Sequence, residues 1–294
     1  MRVLVTGVSG FSGSFIARAL AQAGFDVTGL HRRESPRLAA LRAVSGLKLV
    51  QAELTGVGGL SGPFDGVVHA AATSPAPGIT VADIVRDNVD GTFALIDAAR
   101  GWQVRCFIFC SSMSVYGAID DAVVDEGCAI RDPDVYGMTK LLAERRLEEV
   151  AGTMPALALR LPGIIGPGAE RNWMSGVAAC LNKGLKIGAF HLERPFNNAA
   201  HVADIAALID GVLQRGLNGF DTIVLGAAGM TTVRGAIERL AAGLGVTANI
   251  EARAAAKTSF TLSSKRAIAR YGYDPMPIEA MIDRYASELL AMIE

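Results

Sequence analysis

Apolar residues recur along the first half of the chain in two alternating rhythms. Short apolar runs read as strands at Arg2–Val5, Phe25–Leu30, Leu47–Gln51, Gly66–His69, Val104–Cys110 and Ala156–Arg160. Between them, apolar positions three or four apart mark helices at Gly13–Ala23, Pro36–Val44, Thr80–Arg100 and Pro133–Val150. Repeated strand–helix alternation predicts a parallel sheet with helices on both faces. Right-handed crossovers then give an α/β, doubly wound sheet that binds ligands at the carboxyl ends of its strands.

After Arg160 the pattern loosens. Gly163-Ile164-Ile165-Gly166-Pro167-Gly168 reads as a loop, followed by a helix at Val202–Gln214 and a strand at Asp221–Leu225. Further helices are expected at Thr232–Ala242, Ser264–Tyr271 and Ile278–Met292. The expected organisation is a dinucleotide-binding domain over residues 1–165 plus about 195–228. A smaller, mainly helical substrate-binding lobe takes residues 166–194 plus 229–294.

Composition fits this picture. The chain has 294 residues, 51% of them hydrophobic, with 33 glycines, enough for one large or two moderate domains. A net charge of −1 with no basic run argues against a nucleic-acid partner. No apolar run approaches the ~20 residues that span a bilayer, and no leader pattern opens the chain, so a soluble cytoplasmic protein is expected. Cys106, Cys110, Cys128 and Cys180 read as reduced thiols, and no Cys/His spacing suggests a metal.

The first candidate chemistry lies where the first strand meets the first helix, at Thr6-Gly7-Val8-Ser9-Gly10-Phe11-Ser12-Gly13. Glycines there permit positive φ and close backbone approach to phosphate oxygens. The helix N-terminus that follows favours an anion. Gly7, Gly10, Phe11, Ser12 and Gly13 are therefore cofactor-binding candidates. The second strand ends in His31-Arg32-Arg33 with no carboxylate at its tip. Arginine suits a ribose 2′-phosphate, so NADP(H) is favoured over NAD(H).

The second element is Tyr136-Gly137-Met138-Thr139-Lys140. A phenol titrates near about pH 10, and a neighbouring cation lowers such a group by roughly one to three units. Lys140 lies one turn on, on the same helix face. Ser112 falls at a strand end, where its hydroxyl can hold a substrate oxygen while a proton moves. His69 reads as packing, His191 and His201 lack a carboxylate at suggestive spacing, and Asp120-Asp121 with Asp125-Glu126 read as a solvated face.

Together, Thr6-Gly7-x-x-Gly10-x-x-Gly13, His69-Ala70-Ala71, Asn88-Val89-x-Gly91-Thr92, Ser111-Ser112-x-x-Val115-Tyr116-Gly117, Tyr136-x-x-x-Lys140, Leu159-Arg160 and His201-Val202-x-Asp204 resemble the extended short-chain dehydrogenase/reductases. More narrowly, they resemble the NAD-dependent epimerase/dehydratase family, which acts mostly on nucleotide sugars. The resemblance implies a Rossmann fold, with Tyr136 as acid/base, Lys140 on the nicotinamide ribose and Ser112 as the catalytic serine. It further implies that Glu53, Leu54, Ala70, Ala71, Ala72, Asn88 and Pro162 line the cofactor. Met113, Arg171, Asn172 and Trp173 are placed near substrate. Met113-Ser114 stands where dehydratases carry an acid pair, which disfavours dehydration. The expected partners are a nucleotide-sugar substrate and a second copy of the chain. A homodimer would pair the helices bearing Ile84, Leu95, Leu141 and Leu142, residues that suit packing against the sheet equally well. Reduction of a non-sugar carbonyl and a non-catalytic NAD(P)-sensing role are the alternatives.

Overall fold

A computed structural model describes residues 1–60, 62–255 and 257–292. Its centre is a seven-stranded parallel sheet. The strands are β1 (Arg2–Thr6), β2 (Asp26–His31), β3 (Leu47–Gln51), β4 (Gly66–His69), β5 (Cys106–Ser112), β6 (Ala156–Leu161) and β7 (Phe220–Val224). They stand in the order β7-β6-β5-β4-β1-β2-β3. The chain runs outward from β1 to β3 and then crosses to β4 on the other side of β1. The order therefore reverses between β1 and β4, the place where such sheets open a ligand crevice. Thr6 pairs with His69, so the two strands end level at that crevice.

The helices are α1 (Phe11–Gln22), α2 (Pro36–Arg42), α3 (Val81–Val85), α4 (Gly91–Gly101), α5 (Val135–Val150), α6 (Trp173–Asn182), α7 (Val202–Arg215), α8 (Val233–Gly243), α9 (Lys265–Tyr271) and α10 (Ile278–Ala291). No helix among the described residues is long and apolar enough to cross a membrane. The chain separates into two compact units. One comprises Met1–Ala118, Ala129–Arg160 and Ile205–Ile223; the other comprises Ile119–Cys128, Leu161–Asp204 and Val224–Glu294.

In the first unit, Leu4, Leu30, Val67, Phe107 and Phe109 of the sheet form one core with Leu95, Ile96 and Ala99 of α4 and Ala143, Leu147 and Val150 of α5. Val3 and Val5 alternate with Leu4 and are also fully buried, so β1 is covered on both faces. That double burial is why its sequence is a continuous apolar run rather than an alternation. The second unit has its own core, built from Met174, Val177 and Leu181 of α6, Ile237 and Leu240 of α8, and Met281 and Tyr285 of α10.

The structure corrects several sequence expectations. The helix expected at Thr80–Arg100 is interrupted: a π-helical turn at Arg86–Asp90 separates α3 from α4. The strand expected at Val104–Cys110 lies at Cys106–Ser112, because the β4 register begins at Gly66↔Cys106. The expected loop at Gly163–Gly168 opens with a short strand, Gly163–Ile165, paired in parallel with Ala199–His201. Helix α6 was not expected at all. Asn172 starts it through a reciprocal capping box with Ser175, a weaker sequence signal than the Ser/Thr-to-Glu form.

Candidate active site

The glycine turn follows β1 directly. Gly7 has φ +76°, and a Cβ there would come within 2.7 Å of the Ala71 backbone. A Cβ at Gly13 would clash with the Gly7 carbonyl oxygen. Gly7 is thus required by contact as well as by φ, and Gly13 by contact alone. Gly10 stands at the N-cap of α1, so Phe11, Ser12 and Gly13 form its first turn. The amides of that turn lack intrahelical acceptors.

Beside the turn lies a cavity of about 440 Å³. It gathers most of the sequence-predicted cofactor residues: Gly7 and Gly10 from the turn, His31, Arg32 and Arg33 from the end of β2, Glu53 and Leu54 after β3, and Ala70, Ala71 and Ala72 after β4. His31 Nδ1 is buried and has no hydrogen-bond partner among the described residues. A buried polar atom of this kind lacks the bond it normally requires. A glycine cradle and an unpartnered ring nitrogen in one crevice fit an adenine dinucleotide.

The rim carries two charges that sequence reasoning missed, Arg86 and Asp87. Arg32 Nη1 lies 2.7 Å from Asp87 Oδ2 and 4.0 Å from Glu53 Oε2. Asp87 Oδ2 also accepts from Thr73 Oγ1 at 2.7 Å, and Arg86 pairs with the other oxygen at 2.9 Å. Burial alone would raise the Asp87 pKa, but the bonds from Thr73, Arg32 and Arg86 hold it below the usual carboxylate value. Arg33 is exposed. The π-helical turn explains how Arg86, Asp87 and Asn88 reach this region. Asn88 is buried; its Oδ1 accepts from Thr73 N at 2.7 Å and its Nδ2 donates to the Thr73 carbonyl and to Thr139 Oγ1. Asn88 therefore fixes the loop after β4. The signal for Asp87 was its place next to Asn88, one residue from a position the resemblance had already marked.

His69 bridges Thr6 Oγ1 at 2.7 Å and Thr92 Oγ1 at 2.9 Å through its two ring nitrogens. Burial, aided by the Lys140 charge, pushes its pKa down to about 3, so it is neutral. One nitrogen then donates and the other accepts, which suits two hydroxyls.

Tyr136 and Lys140 sit in the first turns of α5, which Asp134 caps by accepting from Gly137 N at 2.7 Å. Lys140 is 3% exposed; Nζ donates to the Cys110 carbonyl at 2.8 Å and lies 4.7 Å from the Phe109 ring centre and 5.7 Å from that of Tyr136. Ser112 ends β5; its Oγ accepts from Ser114 N and donates to Ser114 Oγ, both at 3.1 Å. Met113 opens the short 3₁₀ turn that follows.

The remaining candidates belong to the second unit. Pro162 is half-buried just before the Gly163–Ile165 strand. Asn172 caps α6 and donates to the Ile164 carbonyl at 2.8 Å, so its amide is committed to local structure. Trp173 stacks edge-on against Phe196 at 4.9 Å and is 38% exposed, while Arg171 is exposed with φ +59°. A shallow cleft in this unit is lined by His191, Arg194, Arg234 and Arg253, with Arg234 paired to Glu193 at 2.7 Å. His201 has a carboxylate partner that no sequence spacing suggested, Glu288 at 3.0 Å, 87 positions away. One sequence reading here is overturned. Glu126 is not solvated: its side chain is 4% exposed, accepts from Val224 N at 2.7 Å and pairs with Arg266.

Residues 3–226 match the family model described as the NAD dependent epimerase/dehydratase family. The chain belongs to this family. A UDP-glucose 4-epimerase of Streptomyces lividans is 32% identical over 181 residues, 58% of this chain and 54% of that protein. The chain spans about half the length of the first such relatives. A D-erythronate dehydrogenase of Cupriavidus necator is 30% identical over 263 residues, covering 82% of this chain and 81% of that one. Among solved structures, a UDP-glucuronic acid 4-epimerase of Bacillus cereus bound to NAD superposes with a TM-score of 0.85 over 100% of both chains, at 19% identity. At that identity the likeness speaks for the fold.

Proposed function

We infer that the protein moves a hydride between a nicotinamide cofactor and a carbon bearing a hydroxyl or carbonyl, with Tyr136 as the acid/base. The carrying observation is that Lys140, 5.7 Å from the Tyr136 ring centre, bonds to the Cys110 carbonyl two residues before Ser112, in the same unit as the glycine cradle. A bound nicotinamide supplies the hydride acceptor or donor. Tyr136 exchanges the hydroxyl proton. Ser112 holds the oxygen in line, and Lys140 holds the nicotinamide ribose. Lys140 is held by the Cys110 carbonyl, which leaves two of its three donors for a ribose.

The reading for substrate is a nucleotide sugar acted on by epimerisation or 4-keto reduction. The names of the epimerase relatives support it. A second reading, a small free sugar acid, is favoured by one observation: the match to the D-erythronate dehydrogenase runs over four-fifths of both chains. For the cofactor, NADP(H) is proposed over NAD(H), resting on Arg33 and on whatever part of the Arg32 fork Asp87 leaves open. We also propose a homodimer.

The test is a thermal-shift screen with NAD(H), NADP(H), UDP-glucose, UDP-glucuronate and D-erythronate, followed by turnover on whatever binds. A ligand that binds the folded state raises the Tm. A shift with UDP-sugars supports the first reading, and a shift with D-erythronate alone replaces it by the second. No shift with any dinucleotide would overturn hydride transfer.

A further inference from the structure

Below the Tyr136–Lys140 pair, α5 carries a third polar side chain on the same stripe. Glu144 is four residues beyond Lys140, as Lys140 is four beyond Tyr136, so the three lie along one face over about 12 Å of helix. Glu144 is 2% exposed and its partner Arg160, on β6, is 6% exposed. Arg160 Nη2 lies 2.7 Å from Glu144 Oε2, and its Nε reaches Oε1 at 3.1 Å. The remaining guanidinium nitrogen, Nη1, donates to Tyr116 Oη at 2.9 Å. Glu144 Oε1 also accepts from Ser111 Oγ at 2.5 Å.

Four pieces of chain meet at this ion pair: helix α5, strand β5, strand β6 and the turn after Ser112. Lys140 and Glu144, one helical turn apart, bond to Cys110 and Ser111, neighbours on β5. Ser112 is the next residue. Tyr116 closes the turn in which Ser112 and Ser114 bond to one another. The helix that presents the phenol and ammonium is thereby keyed to the strand that presents the serine, at two points on each. An apolar core at this place would bury the same surface without desolvating two charges, and would lack these directional bonds between α5 and β5.

The geometry points to Glu144, Arg160 and Ser111 as positioning residues that set where Lys140 and Tyr136 stand relative to Ser112 and the cofactor. This rests on the assignment of Lys140 to the nicotinamide ribose made above. The network supplies no proton and touches no reacting atom. Its effect passes through Lys140, whose ammonium is placed by the Cys110 carbonyl one residue from the Ser111 anchor.

The test needs no substrate. NADH and NADPH are titrated by the fluorescence of the bound dihydronicotinamide in Glu144→Gln, Ser111→Ala and Lys140→Met, and in each of the first two combined with Lys140→Met. Glu144→Gln should weaken the tighter cofactor roughly tenfold and Ser111→Ala about threefold. In the Lys140→Met background both losses should shrink below about twofold, because the ammonium that transmits them is gone. Circular dichroism and Tm establish that each variant is folded. If Glu144→Gln fails to fold, Ser111→Ala, which leaves the ion pair and every charge in place, decides the matter. Full losses in both backgrounds would reduce the network to a structural pair, and no loss in either would overturn the proposal. If Lys140→Met itself leaves both cofactors unaffected, the assignment of Lys140 fails and the proposal falls with it. An effective Lys140→Met beside inert Glu144→Gln and Ser111→Ala sinks the positioning role alone.

Discussion

Arg32 Nη1 stands 2.7 Å from Asp87 Oδ2, tying the tip of β2 to the π-helical turn between α3 and α4. The arginine that recommended a 2′-phosphate already has an anion in its fork. Its side chain is 34% exposed, so the pair can exchange one anion for another.

Cofactor choice should therefore respond to three residues. Replacing Arg32 and Arg33 together with alanine should weaken NADPH far more than NADH. Asp87→Asn should act in the opposite sense and tighten NADPH on the order of tenfold, since a hydrogen bond to a charged group is worth about 1.5–3 kcal/mol. Isothermal titration with each cofactor measures both. Equal changes for NADH and NADPH would remove these arginines from 2′-phosphate recognition.

The chemistry should divide between Tyr136, Lys140 and Ser112. Tyr136→Phe is expected to reduce turnover by roughly 10²–10⁴-fold while leaving cofactor affinity nearly intact. Lys140→Met should damage both, and Ser112→Ala should cost less than the loss of the phenol. Steady-state kinetics on the substrate found by the ligand screen, with cofactor titrated separately, gives the comparison. A Tyr136→Phe enzyme that keeps more than about a tenth of its turnover does not use the phenol as acid/base.

His69 makes stability depend on pH. Its folded pKa is depressed to about 3 from an ordinary 6.5, so the unfolded chain binds a proton that the folded chain refuses. The stability it contributes is complete above pH 6.5 and falls as the pH drops toward 3. The expected slope is about 1.4 kcal/mol per pH unit in that window. Urea unfolding between pH 7.5 and 5 should show this acid limb in the native protein and a shallower one in His69→Phe. Identical slopes would mean that His69 titrates alike in both states.

Self-association is expected through α3 and α5. Ile84 and Leu95, which the apolar pattern had offered as part of that face, are buried in the first unit at 4% and 0% exposure. The exposed large apolar residues on these helices are Val81, Val85, Val135, Met138 and Leu142, with Val81 and Val85, and Met138 and Leu142, spaced four apart. Leu142→Glu combined with Val85→Glu should turn a dimer into a monomer by light scattering at micromolar concentration. A native chain that is already monomeric there excludes this interface.

Much of this architecture is legible in local sequence because its causes are local. Strands buried on both faces must be continuously apolar, as Val3-Leu4-Val5 is. A turn that brings its backbone to 2.7 Å from where a side chain would begin must be glycine, as at Gly7. A one-turn spacing puts Tyr136 and Lys140 on one face of any helix. What only the tertiary structure decided depends on partners far apart in the chain. Arg32 reads as a free cation until the fold brings Asp87, 55 residues later, against it. Glu126 reads as solvated until Val224, 98 residues away, gives it an amide. Glu144 reads as one more charge on a polar helix until β6 delivers Arg160 to the same buried place as Ser111. Periodicity reports whether a side chain faces protein or water. Which charge meets which is set by the order of strands in the sheet, and that order is written in no single segment.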